Sequence, residues 1–333
     1  MKNSIEQNTG SRVPTMPIRI LRFRFGRNVV LFGVFILQIV ATSLLVPGYF
    51  SVWGLLDASR AFVEVGLVAL AMTLIIISGG IDLSVGALLA LVSVTIGFSY
   101  QAGLPLWVAS GLGVLVGTAG GALNGALTSF FRLHPLVVTL GTFALFRGIA
   151  FTVSDAGAVS GFPAWFGIFG QQKLLGLVPL QLLGLILLAV FFWALLTKTS
   201  FGRYVFALGL NENVARFSGV SINRVKIQIY TLMGFMVGIA GLIHTSRISS
   251  ARGNAGFGME LIAIAIVVLG GARILGGSGT IVGSILGLLI LSYLQDGLSF
   301  AGVRSDVGLI VIGFVLIIGV LINENLNRSQ NSK

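Results

Sequence analysis

Apolar residues dominate the chain in ten long runs, roughly 28–47, 61–78, 85–101, 105–129, 135–153, 174–197, 226–247, 259–272, 280–299 and 305–323. A helix that crosses a bilayer needs about 20 mainly apolar residues. Each run but one approaches that length. The eighth is short, so it is expected to span only partly or to pack inside the bundle.

What interrupts the runs is as informative as the runs. Between the second and third stands "SGGIDLSVGA", Ser78 to Ala87, which puts a carboxylate and two hydroxyls between two apolar stretches. Gly79 and Gly80 are expected to end one helix there, with Asp82 or Ser84 capping the next. Gly113, Gly117, Gly121 and Gly125 recur every four residues in the fourth run, with Asn124 beside them. Gly279, Gly283 and Gly287 repeat the device in the ninth run, and Gly234 and Gly238 in the seventh. Bare stripes of this kind let helix axes approach closely, where dispersion contacts hold them. Glu64 and Glu260 each precede an apolar run and are expected at helix N-termini, where the helix dipole favours a carboxylate. Arg147, well inside the fifth run, either snorkels to the outer surface or lines an aqueous path.

Composition agrees with the pattern. Of 333 residues 56% are hydrophobic and 9% charged, against about 25% charged in soluble domains. The chain therefore reads as an all-α polytopic transmembrane helical bundle of about ten spans. Its net charge of +11 raises the question of nucleic acid, but the basic residues gather between and beyond the apolar runs, so none is expected. With the N-terminus inside, fifteen Lys and Arg fall on the inner side and six fall outside or in the membrane. That asymmetry favours N-in and C-in. Residues 1–27 then form a basic cytoplasmic tail, 28–323 the transmembrane domain and 324–333 a second cytoplasmic tail. The head shows no small-residue cleavage site before a polar mature domain, so a signal peptide is not expected.

Two connections stand out. The outer one, 154–173, carries Phe162, Trp165, Phe166 and Phe169 at helical spacing. They are read as one aromatic face, either of a short helix in the headgroup belt or of a lid beside a pathway mouth. The inner one, 198–224, holds Asn211 or Asn213 as the cap of a short helix, Gly219 as its left-handed stop, and Arg203, Arg216 and Arg224 around it. It is either an ordinary basic loop or a docking helix for a cytosolic partner.

Catalytic constellations are missing. The chain has no cysteine and two histidines, His134 and His244, so no metal site is expected. "GGSGT", Gly276 to Thr280, lacks the lysine of a phosphate-binding loop, so any ATP must bind another chain. Asp82 and Asp296 are the candidates for ion coupling. No cofactor is implied.

Several stretches taken together resemble the membrane permeases of bacterial ATP-binding-cassette importers for monosaccharides, of the ribose, galactose, xylose and rhamnose type. They are "SGGIDLSVGA", "GALNGAL" (121–127), "HPLVVTLGTFALFRG" (134–148), "FGRYVFALGLNENVARFSGVS" (201–221), "VVLGGARILGGSGTIVGSILG" (267–287) and "LQDGLSFAGV" (294–303). The autoinducer-importing branch is also similar. The resemblance implies a permease subunit of the inner membrane that is not itself an enzyme. It would dimerise with a second copy or a paralogue, and work with a cytosolic ATP-binding subunit and a periplasmic substrate-binding protein. It further implies that Gly202, Arg203, Ala207, Gly209, Asn211, Ala215 and Gly219 seat the loop in the ATPase. The translocation path would draw on Asp82, Ser84, Asn124, Thr139 and Arg147. The cargo would be a monosaccharide, or a related small polyol or autoinducer. A branched-chain amino acid permease of the same broad architecture is the near alternative, and an ion-coupled secondary carrier the distant one. Asp296-Gly297-Leu298, where many sugar permeases have Asn-Gly-Leu, and Ala272-Arg273 depart from the pattern.

Overall fold

A computed structural model describes residues 26–155, 157–304 and, beyond them, 307, 308, 310, 311, 313 and 314. Both expected tails and most of the tenth run lie outside the described residues.

The described chain forms an all-α bundle with four short strands at one end. In order it runs α1 (Arg27–Leu45), α2 (Val52–Ile77), α3 (Val85–Gln101), α4 (Leu106–Phe130), α5 (Pro135–Ser154) and β1 (Ala158–Ser160). A 3-10 turn over Ala164–Ile168 leads to β2 (Lys173–Leu174), β3 (Val178–Pro179), α6 (Leu180–Lys198), α7 (Ser200–Leu210) and α8 (Glu212–Phe217). The chain closes with α9 (Ile222–Ile248), β4 (Ser250–Arg252), α10 (Met259–Leu269) and α11 (Ile281–Phe300). Among the described residues, seven helices are long and apolar enough to cross a membrane, and α3 and α10 are shorter. The bundle is thus that of a multi-pass membrane protein.

Helix α2 is its axis. Its residues from Phe62 to Ile77 are all buried, as expected of a helix that is apolar all round. It begins well before the apolar run, because the polar Asp57 and Arg60 of its first turns are satisfied by each other and by Lys173. Glu64 therefore sits in the helix interior and not at an N-terminus, which corrects that expectation. Glu260, in the first turn of α10, is where the sequence puts it. Helix α1 lies outermost with no buried residue, held to α11 by Gln38 Nε2 donating to Ile290 O (3.0 Å) and to the loop beyond α10 by Arg27 donating to Gly271 O (2.7 Å).

The glycine stripes pack as their spacing requires, with two exceptions. A Cβ on Gly117, Gly121 or Gly125 would strike the backbone of α9 at Gly234, Gly238, Tyr230 or Ile227, so α4 and α9 touch backbone to backbone. Gly283 and Gly287 meet Gly270 and Ile266 the same way. Gly113 instead faces Ile96 of α3, and Gly279 lies in the turn before α11, against Ile77 and Ala272.

The outer connection does not form one aromatic face. Its residues make a 3-10 turn of three residues per turn, which rotates Phe166 into the core and leaves Trp165 half-exposed. Ser246 Oγ donates to Phe166 O and Gln171 Nε2 to Ser246 O (3.1 Å), tying the turn to the end of α9. Strand β1 pairs antiparallel with β4, matching Val159 to Ala251.

That pairing starts an inward excursion. Gly97 of α3 packs on Ala251, whereas Gly86 of α3 packs on Gly256 and Glu260. Eleven residues of α3 separate those two levels, about 16 Å along a helix. The segment 249–258 thus dives into the bundle, and α10 begins at depth. With 11 residues α10 is about 16 Å long, half of a hydrocarbon core. The eighth run is therefore a half-length helix.

Candidate transport core and coupling face

The broken segment between α2 and α3 is held by a closed set of hydrogen bonds. Gly79, at φ +82°, turns the chain, and residues 80–84 form no regular structure before α3 begins. Asp82 Oδ1 accepts from the Ser84 N–H (2.8 Å) and from Ser84 Oγ (2.7 Å). Asn124 Nδ2 of α4 donates to Ser84 Oγ (2.8 Å), and Thr139 Oγ1 of α5 donates to Ile81 O (3.2 Å). Ser84 stands at the N-cap position, but neither its side chain nor that of Asp82 caps the first turn of α3. The capping expectation is corrected here: a charge-assisted bond to the carboxylate is stronger than a neutral one to a backbone N–H, and it takes the hydroxyl. Irregular backbone at this depth requires such internal partners, since lipid offers none. Asn124 Oδ1 and the neighbouring Tyr230 hydroxyl are buried without a protein partner among the described residues.

Arg147 is elsewhere. It is 8% exposed and does not snorkel. Its Nη1 donates to Gly253 O and Ala255 O, both at 2.9 Å, and its guanidinium lies 5.8 Å from the rings of Phe143 and Phe257. It therefore anchors the diving segment at the mouth of α10, where Gly86 of α3 packs against Glu260. Its Nε and Nη2 and the Glu260 Oε2 are buried and unpartnered among the described residues. The structure thus brings Asp82, Ser84, Asn124 and Thr139 together and leaves Arg147 at a second place.

Sequence reasoning missed two features. Glu64 of α2 accepts Arg247 Nε on Oε1 (2.7 Å) and Arg247 Nη2 on Oε2 (3.1 Å), and His244 Nδ1 lies 3.2 Å from the same Oε2. This clasp joins α2 to α9 near the strand-bearing end. Beside it opens a cleft of about 430 Å³ between α2, α9, α10 and α11. Its polar lining is His244, Ser292, Gln295, Asp296 and Ser299. The last four recur at i, i+3, i+4 and i+7 along α11, a polar face that the spacing already displays.

The opposite end carries α7 and α8. The expected loop 198–224 is in fact two helices and the start of α9. Thr199 caps α7 at Gly202 N (3.2 Å), and a side chain on Gly202 would strike Leu196 O. Gly209 is closed in by Ile77 O and by Gly277 N, and Gly277 N itself donates to Ile77 O (2.9 Å). Gly276 packs on Gly79. The end of α2, the "GGSGT" turn and α7 thus meet at one junction of bare backbones, with Ala207 packed against the core beside it.

From that junction Asn211 Oδ1 accepts from the N–H groups of Asn213 (3.0 Å) and Val214 (3.1 Å), capping α8, and Gly219 at φ +83° ends it. Glu212 pairs with Arg216 (3.2 Å) and Lys226 (2.8 Å), and Ala215 is buried beneath. Arg203 Nη2 holds Ser200 Oγ (2.7 Å). Leu210 at the end of α7 and Val214 and Phe217 of α8 are all exposed, Phe217 at 91%. Among the described residues no group of three or more His, Asp and Glu gathers as a metal site.

A multi-pass helical bundle with a broken helix pair at its centre and a capped, protruding helix at one end defines a membrane transport component. The chain belongs to the family described as branched-chain amino acid transport system / permease component, which matches residues 54–320. It is 41% identical over 293 residues to the ribose import permease protein RbsC of Bacillus subtilis (strain 168), covering 87% of this chain and 90% of that one. It is 37% identical over 317 residues to the autoinducer 2 import system permease protein LsrD of Escherichia coli (strain K12), covering 93% of this chain and 96% of that one. No solved structure matches the chain. As a family member it is a permease component and not an enzyme, and such permeases generally work with a separate ATP-binding subunit and a substrate-binding protein.

Proposed function

We propose that this chain is the permease of an ATP-driven importer that carries a monosaccharide, or a related small polyhydroxylated molecule, across a bacterial inner membrane. Ten spans with both termini inside fit the charges. Arg27, Arg132, Lys198, Arg203, Arg216, Arg224, Lys226 and Arg273 cluster at the α8 end, which is taken as cytoplasmic. Residues 28–323 form the permease domain between two cytoplasmic tails. Two copies, or this chain and a paralogue, enclose the path, which Asp82, Ser84, Asn124, Thr139 and Arg147 support.

The observation that carries the reading is α8 itself. A six-residue helix has no stability of its own, yet it is capped, salt-bridged and set on the junction of Gly209, Ile77 and Gly277, with an apolar ridge turned outward. That arrangement suits a cytosolic ATPase that pushes on α8. Displacement there reaches the α2–α3 break through a contact with no soft side chains in it. Gly202, Arg203, Ala207, Gly209, Asn211, Ala215 and Gly219 make that lever. ATP binding and hydrolysis would shift the population between outward-open and inward-open states.

The test is uptake in proteoliposomes holding the permease with its ATPase and binding protein. Phe217→Ser and Arg203→Ala should lower ATP-dependent uptake while the protein stays folded. Uptake untouched by both substitutions would end the lever reading.

A further inference from the structure

Resting on that transport reading, we infer that the cleft between α2, α9, α10 and α11 is the substrate-holding site of the permease, built for an uncharged polyhydroxylated ring. The polar face of α11 is the first reason. Four polar side chains on one stripe of a membrane helix are costly against lipid, so they face protein or water. Here they line a space of about 430 Å³, within the size range of small-ligand sites.

The chemistry of the lining names the class of ligand. Ser292 and Ser299 can each donate and accept, Gln295 offers both an amide N–H and a carbonyl, and the Asp296 carboxylate has room to accept from two neighbouring hydroxyls of a ligand. Phe62 and Phe257 add aromatic surface on the other walls. Phe257 is 82% exposed, and a ring stacked on it would cover it. A flat apolar surface flanked by hydroxyl-matching groups suits a sugar, whose CH face is apolar and whose rim is polar.

The same lining argues against an amino acid. None of the described residues that line the cleft is Lys or Arg, and the nearby Arg147, 5.8 Å from the Phe257 ring, is turned to Gly253 O and Ala255 O, so a substrate carboxylate would be desolvated beside Asp296 with no cation on the cleft wall. Arg247 is not part of the lining, and its Nε and Nη2 are bonded to Glu64. His244 meets the cleft from the same clasp. The cleft opens beside the strand-bearing end, which the charge distribution assigns to the outer side, where a binding protein would deliver its cargo.

The experiment uses the complete importer in proteoliposomes, with ribose as the probe and leucine in parallel. Ser292→Ala and Gln295→Ala should each lower ribose uptake roughly tenfold, the loss for a hydrogen bond or two to bound ligand, with elution profile and thermal midpoint unchanged. The chain has no native cysteine, so a single thiol can be placed with no background from the permease itself. The Ser299→Cys thiol should react with a membrane-impermeant thiosulfonate from outside, and saturating ribose should slow it at least threefold. The Leu104→Cys thiol, in the α3–α4 turn away from the cleft, should react equally with and without ribose. Wild-type vesicles that take up leucine and not ribose would overturn the transport reading itself. Wild-type ribose uptake that both alanine variants keep, with Ser299→Cys labelling indifferent to ribose, would overturn the cleft alone.

Discussion

Glu64→Gln tests whether the clasp between α2 and α9 holds the bundle together. The carboxylate is 3% exposed and takes two short bonds from Arg247, whose side chain is 25% exposed. Removing one partner of a fully buried ion pair costs about 3–5 kcal/mol. Arg247 can recover part of its hydration, and glutamine keeps one oxygen to accept, so the cost falls below that range, to about 2–3 kcal/mol. For a chain of this size each kcal/mol moves the melting midpoint by roughly 2 °C, so a fall of about 4–6 °C is expected. Thermal unfolding of the detergent-solubilised protein measures it. The double variant Glu64→Gln with Arg247→Gln should lose less than the sum of the two single losses, because neither partner is left stranded. A midpoint unmoved by Glu64→Gln, or strictly additive losses, would refute the reasoning.

Three further outcomes follow from the geometry. Gly121→Ala should destabilise by about 1–3 kcal/mol, since its Cβ would meet Tyr230 O and the Gly234 backbone, while Gly141→Ala, with open space around it, should be neutral or mildly stabilising in the same melt. Asp82→Asn should fold within about 1 kcal/mol of the wild type, because the Ser84 N–H and Oγ both bond to one oxygen that asparagine retains, and should lower uptake at least tenfold. Unchanged uptake would remove Asp82 from the path. Gly209→Ala should push α7 away from Ile77 and Gly277, so that ATPase activity in the assembled importer no longer responds to the loaded binding protein. A normal response would show that the junction does not transmit.

Much of this was legible in one sequence because membrane helices announce themselves locally. Nine of the ten runs correspond to helices among the described residues, and the short eighth one is half-length for the reason its length implied. The Asn211 cap and the Gly219 stop need only their own neighbours, and both are found. What stayed hidden depends on distant partners. Glu64 looks like a helix N-terminal acid until His244 and Arg247, 180 and 183 residues away, supply its true environment. Strands β1 and β4 are three residues each and pair across the whole of α6 to α9, which no local pattern encodes. Helix α2 begins early because Lys173 neutralises Asp57, a contact hydropathy does not see. The polar stripe of α11 could have been read, but Ser292, Gln295, Asp296 and Ser299 are diluted by leucines and tyrosine in the run, and only the helix gathers them on one side.

The central claim is that ATP in a partner chain drives this permease. The direct measurement is ribose uptake into proteoliposomes holding the permease, with its ATPase and binding protein each present or omitted, and with or without a protonophore. Uptake should require both partners and ATP and should survive the protonophore. Uptake that persists without the ATPase and collapses with the protonophore would contradict the account and make the chain an ion-driven carrier.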